Sequence, residues 1–121
     1  MNKNDFIQEL QNQKIDDLKV KQIEDLYKCN ISDEVKQIVS NCDETIFFDD
    51  DDSRVLSFDE ILDAEEDLHV EFIKKKMLPL FDCLDNDFIV YKTDTHTWTR
   101  FNIVDEIDFD EADSLEELLE D

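Results

Sequence analysis

Acid dominates this sequence, and it is concentrated. Residues 1–42 hold 8 Asp and Glu against 6 Lys, whereas residues 43–121 hold 27 acids against 6 bases. The formal net charge is −23, and −21 of it lies after residue 42. Carboxylates cannot be buried without partners. Any fold of the second part must therefore turn most of them outward from elements whose inner faces are apolar. Solubility alone asks for a net charge of about 2 to 8 in a small domain. The surplus costs stability through self-repulsion, and steering toward a positively charged partner offsets that cost. The same surplus excludes a nucleic-acid backbone as direct partner, because there are no spare cations to release its counterions. It excludes an anionic membrane surface on the same ground. A basic protein, or an acidic surface that imitates nucleic acid, is what remains.

High acidity with few apolar residues would give disorder, but 40% of this chain is hydrophobic and it carries nine Phe. At 121 residues it reads as one domain, 1–121, able to bury roughly two-thirds of its unfolded surface. Residues 1–16 are set aside as a helix that either packs on the body or detaches from it. Glycine is absent, which removes Gly-rich phosphate loops and dinucleotide-binding turns. The opening MNKNDFIQELQNQK has no apolar leader run and no stretch approaches the roughly 18 apolar residues of a membrane span. A cytoplasmic chain is expected. Cys29, Cys42 and Cys83 are odd in number and widely spaced, so free and mostly buried thiols are expected rather than a zinc site.

Periodicity gives the elements. Helices are expected over 4–13 with Asn4 as cap, over 17–29, and after Ser32, where Val35, Ile38, Val39 and Cys42 repeat at helical spacing. Thr45-Ile46-Phe47-Phe48 and Arg54-Val55-Leu56 read as a hairpin across Asp49–Asp52. Ser57 with Glu60 is a capping box that opens a helix to about Leu68. Strands follow at 77–81, where Pro79 predicts an edge or an irregular start, at 88–91 and at 97–104. A last helix begins at Ser114. Strands that follow one another directly imply antiparallel pairing. The expectation is an α+β domain with an antiparallel sheet of about five strands, its helices packed on one side and at the ends.

Several segments carry a resemblance. Val55 to Leu62, Leu78 to Cys83 with Asp85 to Tyr91, Trp98 to Ile107 and Ser114 to Leu119 are similar to successive segments of the SUKH superfamily (the Smi/Knr-like fold), and Val20 to Leu26 resembles its opening helix. The likeness covers roughly residues 18–120. Where that family has Leu-Pro before its second helix and Asn-Gly after it, this chain has Ile31-Ser32 and Cys42-Asp43. The resemblance implies a SUKH-like α+β fold. It also implies an immunity protein that binds and occludes a cognate basic toxin, often a nuclease.

The residues carry little catalytic pattern. His69 and His96 lie in polar stretches without a nucleophile or base at a telling spacing, and read as exposed surface histidines. Asp49–Asp52 could gather a divalent cation through oxygen, but the EF-hand offsets and glycine are missing, so a solvated acidic turn is expected. No enzyme activity, cofactor or metal ion is expected. The candidate partner-binding residues are Asp49, Asp50, Asp51 and Asp52 in the hairpin turn, Glu65, Glu66 and Asp67 in the middle helix, and Glu106, Asp108 and Asp110 after the last expected strand. Tyr91 and Trp98 join them as aromatic anchors if exposed, and as core if not. The partner expected is a basic toxin, and the protein is expected to be a monomer or weak dimer. The alternatives are a multi-partner scaffold of the same fold and a nucleic-acid mimic.

Overall fold

Three capped helices open the computed structural model, which describes residues 1–49 and 53–119. Helix α1 spans Lys3–Leu10, α2 Asp17–Tyr27 and α3 Asp33–Ser40. Their caps are Asn2, Asp16 and Ser32, whose side chains accept hydrogen bonds from first-turn N–H groups. The first cap is thus Asn2 rather than Asn4, and α1 ends earlier than expected. It packs rather than detaches: Phe6 and Leu10 are buried, and Phe6 meets Phe48 and Phe81 edge-on.

The sheet has six strands in sequence order, all antiparallel. These are β1 Ile46–Phe47, β2 Arg54–Val55, β3 Met77–Asp82, β4 Asp87–Lys92, β5 Thr97–Asn102 and β6 Ile107–Ala112. Between β2 and β3 run α4 Phe58–Leu62, α5 Ala64–Leu68 and α6 Phe72–Lys75, and α7 Leu115–Leu119 closes the described chain. The capping box at Ser57 and Glu60 is present in full. The single helix expected after it is divided at Asp63, whose backbone leaves the helical region. Pro79 sits in a central strand, yet β2 pairs only with Phe81 and Asp82 of β3. At Pro79 that edge of β3 is locally open, and the register shifts just after it. A missing N–H is tolerated at such a place.

The central strands β3 and β4 are buried almost end to end. That requires cover on both faces, and it corrects the expectation of helices on one side. One face presents Phe81 and Trp98 to α1 and the residues around it. The other presents Phe101 to Phe72 of α6, and Arg54 and Asp82 to the α4 region.

Without glycine, the chain still makes left-handed turns. Nine described residues have φ between 54° and 71°: Lys28, His69, Lys76, Leu84, Asp85, Asn86, His96, Glu106 and Asp110. Asp85 and Asn86 are the central pair of the β3–β4 turn, where positive φ at both is required. Lys28 and Lys76 terminate α2 and α6 at the position where glycine is commonest. A side chain in this conformation costs about 1 kcal/mol or more. Lys28→Gly and Lys76→Gly should therefore each stabilise the fold by about 1 kcal/mol relative to the matching Lys→Ala variants, which remove the same charge without relieving φ. Urea unfolding of the four variants checks this, and equal stability of the Gly and Ala pairs would contradict it.

Candidate partner-binding surface

The sixth strand was not expected, and it is the most exposed element of the sheet. Asn102 starts the turn that leads into it. Its Oδ1 accepts from the N–H groups of Val104 (3.0 Å) and Asp105 (2.9 Å), and its carbonyl accepts from Glu106 N–H at 2.8 Å. Glu106 takes the left-handed conformation that closes the turn. Ile107, Asp108 and Phe109 then pair with Asn102, Phe101 and Arg100. The register shifts between Trp98 and Arg100, and the left-handed Asp110 supplies the bulge. Thr99 Oγ1 donates to Phe109 O at 2.8 Å beside it.

Every residue from Val104 to Glu111 is exposed, and burial resumes only at Ala112. Val104 is 69% exposed, Ile107 58% and Phe109 38%. Acids alternate with them. Glu106 meets Lys75 at 3.3 Å, Glu111 meets Lys92 at 3.0 Å, and Asp108 and Asp110 lie 3.9 Å from Lys92 and Arg100. Each of these four carboxylates stays about half exposed or more, so each still faces water with oxygen to offer. The hydrogen bond between Lys92 and Glu111 raises the ammonium's pKa and holds the Glu111 carboxyl below its ordinary range.

The other candidates do not join this strand at one place. Asp49 is exposed beside β1, with Oδ1 3.0 Å from the Met1 amino group. The sheet edges β1 and β6 are five strand spacings apart, about 24 Å. Asp50, Asp51 and Asp52 lie outside the described residues. Glu65 is occupied internally: its Oε2 accepts from Ile73 N–H at 2.8 Å at the start of α6. Glu66 and Asp67 are exposed on α5. Tyr91 and Trp98 are 1% and 2% exposed, so neither is a surface anchor. They pair across β4 and β5 with rings 5.3 Å apart, and the Tyr91 hydroxyl is 2.6 Å from His96 Nδ1. Their aromatic mass is core because both project from strands buried on that face. The residues that sequence reasoning missed are Val104, Ile107, Phe109 and Glu111. The signal was present as the alternation Ile107-Asp108-Phe109, obscured by the acids that follow.

Behind the strand, α7 packs on β5 and β6. Arg100 Nη2 donates to Leu118 O at 2.8 Å, a cation at the negative end of that helix. On α3, Glu34 is half-buried against α7. Burial first, and then the Glu116 charge, raise its carboxyl pKa, while the Leu115 N–H and Trp98 indole partly offset this. A carboxyl raised in the folded state favours folding in its protonated form and costs stability as pH rises through its folded value. Glu34→Gln should therefore raise the melting temperature at pH 7, and the gain should vanish below the ordinary value of 4.5. Melting curves across that range check it, and a gain independent of pH would contradict it.

No protein-family model, curated protein or solved structure matches this chain. What it can do is therefore read from its own surface. Among the described residues no group of three or more His, Cys, Asp or Glu is placed to hold a metal ion. His69 and His96 are both exposed. The cleft beside Arg54, Glu60, Asp67 and Asp82 presents a guanidinium already bound by Glu60 and Asp82. Cys42 is buried, and burial pushes its thiol up to about 12, while Cys29 and Cys83 are only half-buried. Unlike a reactive cysteine, Cys42 is held in its thiol form. Among the described residues no helix is long and apolar enough to cross a membrane.

Proposed function

We propose that this protein binds a basic protein, a toxin of nuclease type, and neutralises it in a stoichiometric complex, as immunity proteins of the SUKH type do. The observation that carries the reading is β6. It is a sheet-edge strand whose exposed acids alternate with exposed apolar side chains, in a domain already far more acidic than solubility needs. A nuclease must present cations to hold phosphates, and such a surface is complementary to carboxylates. The segmental resemblance to the SUKH superfamily supports the same reading. A multi-partner scaffold would need no such specialised edge.

The test is to search the reading frames beside this protein's gene for a small basic toxin domain and to co-express the two. The expected result is restored growth and a one-to-one complex. Toxicity unchanged by this protein, with no complex formed, would contradict the reading. Charge reversal at Asp108 and Glu106 together should slow association by about tenfold while leaving the fold intact, because rim charges act chiefly on the encounter rate. Stopped-flow binding and circular dichroism of the variant check both halves of that statement.

A further inference from the structure

Resting on that reading, we infer that β6 is a docking strand: an extended Lys- and Arg-rich segment of the partner adds to the sheet as a seventh strand along Glu106 to Phe109. Four observations converge on it. First, β6 ends the sheet order and pairs on one side only, with β5. An edge strand offers unpaired N–H and C=O groups along its free side, and an incoming strand is held by those groups. Second, every residue of β6 from Ile107 to Glu111 is exposed, so an incoming strand meets accessible side chains along that run. Third, three of the nine large exposed hydrophobic residues, Val104, Ile107 and Phe109, fall within this one hairpin. Protection of an edge from aggregation calls for charge, not for exposed Ile and Phe. Fourth, residues 104–113 contain six acids and no base.

That charge selects the occupant. A second copy of the chain, paired β6 to β6, would set Glu106, Asp108 and Asp110 against their own equivalents, and like charges directly opposite one another destabilise a strand pair. A basic strand meets the same positions with opposite charge and covers Ile107 and Phe109 with its alternate side chains. The bulge at Asp110 ends the straight run and sets the C-terminal limit of the pairing. The opposite edge is a poorer template, since β1 is only two residues long.

The experiment titrates the isotope-labelled full chain with a synthetic peptide of alternating Lys and Val, roughly eight residues long. A second peptide keeps every Lys but has Pro in place of Val, so it carries the same charge and cannot pair as a strand. At low salt the first peptide should shift the amides of residues 106–110 and slow their exchange with solvent. It should bind at least about tenfold tighter than the proline peptide. Asp108→Lys should weaken it by about tenfold, whereas Glu9→Lys on α1 should leave it unchanged. Equal binding of both peptides, with shifts scattered over the acidic surface, would overturn strand docking while leaving the basic-partner reading intact. So would failure of both peptides to bind while the toxin domain is still neutralised. Failure of both peptides together with failure to neutralise would overturn both readings. Dimerisation through β6 in the absence of peptide would overturn the assignment of the occupant.

Discussion

Phe81→Ala should cost about 3–5 kcal/mol of stability, as removal of a fully buried aromatic ring does. The ring is fully buried, and Phe81 pairs with Val55 on one side and Ile89 on the other. Its centroid lies 5.9 Å from Phe6, 6.2 Å from Phe48 and 6.5 Å from Trp98. One side chain therefore joins the N-terminal helix, the first hairpin and the central sheet. Small domains are stable by only about 5–15 kcal/mol, and here self-repulsion of the surplus acid lowers the starting value. At low ionic strength the variant should be largely unfolded, and added salt should recover part of its structure. Unfolding should be driven with urea rather than guanidinium, because guanidinium is itself a salt that screens the repulsion. The exposed control Leu18→Ala should change stability by less than about 0.5 kcal/mol. A small effect at Phe81, comparable with that control, would mean that the aromatic cluster does not hold the three parts together.

Arg54→Met should cost about 1–3 kcal/mol, less than the loss of a fully buried ion-pair partner because water reaches the group. Arg54 Nη1 lies 2.8 Å from both Glu60 oxygens, and Nη2 lies 3.3 Å from Asp82. The guanidinium thereby ties β2 to β3 and to the first turn of α4. Without it, two partly buried carboxylates face each other. Burial alone would raise the Glu60 carboxyl, but the Ser57 N–H of the capping box and Arg54 outweigh it and hold the carboxyl below its ordinary 4.5. A carboxyl lowered in this way contributes stability above its unfolded value and loses it as pH falls through the folded one. The native protein should lose that contribution below pH 4.5, and the variant should show less of this slope. Acidification should thus narrow the gap between them. Arg54→Met combined with Glu60→Gln should recover part of the loss at neutral pH. A gap that stays constant with pH would remove the electrostatic explanation.

Much of this architecture could be read from residue types. Ser32 and the Ser57–Glu60 box mark helix starts because short polar side chains satisfy first-turn N–H groups, and both act as expected. The strands at 77–82, 87–92 and 97–102 stand out because buried strands are runs of aromatic and branched residues. What escaped were features settled by tertiary context. The strand at 107–112 alternates like any other, but acids on an edge strand lower its apparent β propensity. The cover on both faces of the sheet depends on where α4, α5 and α6 swing after the first hairpin, and local sequence does not encode that. Tyr91 and Trp98 could be read as anchors or as core, and their burial in the sheet decides for core. Of the acids singled out, Glu106, Asp108 and Asp110 fall together on β6, while Asp49 sits at the far edge of the sheet and Glu65 caps α6. Sequence registered the amount of acid, but its grouping depends on strand order.

The central claim is that the acid surplus serves a basic partner at the expense of the fold's own stability. Salt should then act in opposite directions on the two. Screening relieves self-repulsion, so the free protein should melt at a higher temperature in about 500 mM salt than in about 20 mM. Over the same range the association rate with the proposed basic partner should fall by at least about tenfold, with little change in dissociation. Stopped-flow measurement of that rate is the most direct test. A steep fall is the result predicted, and an association rate flat in salt would contradict the claim.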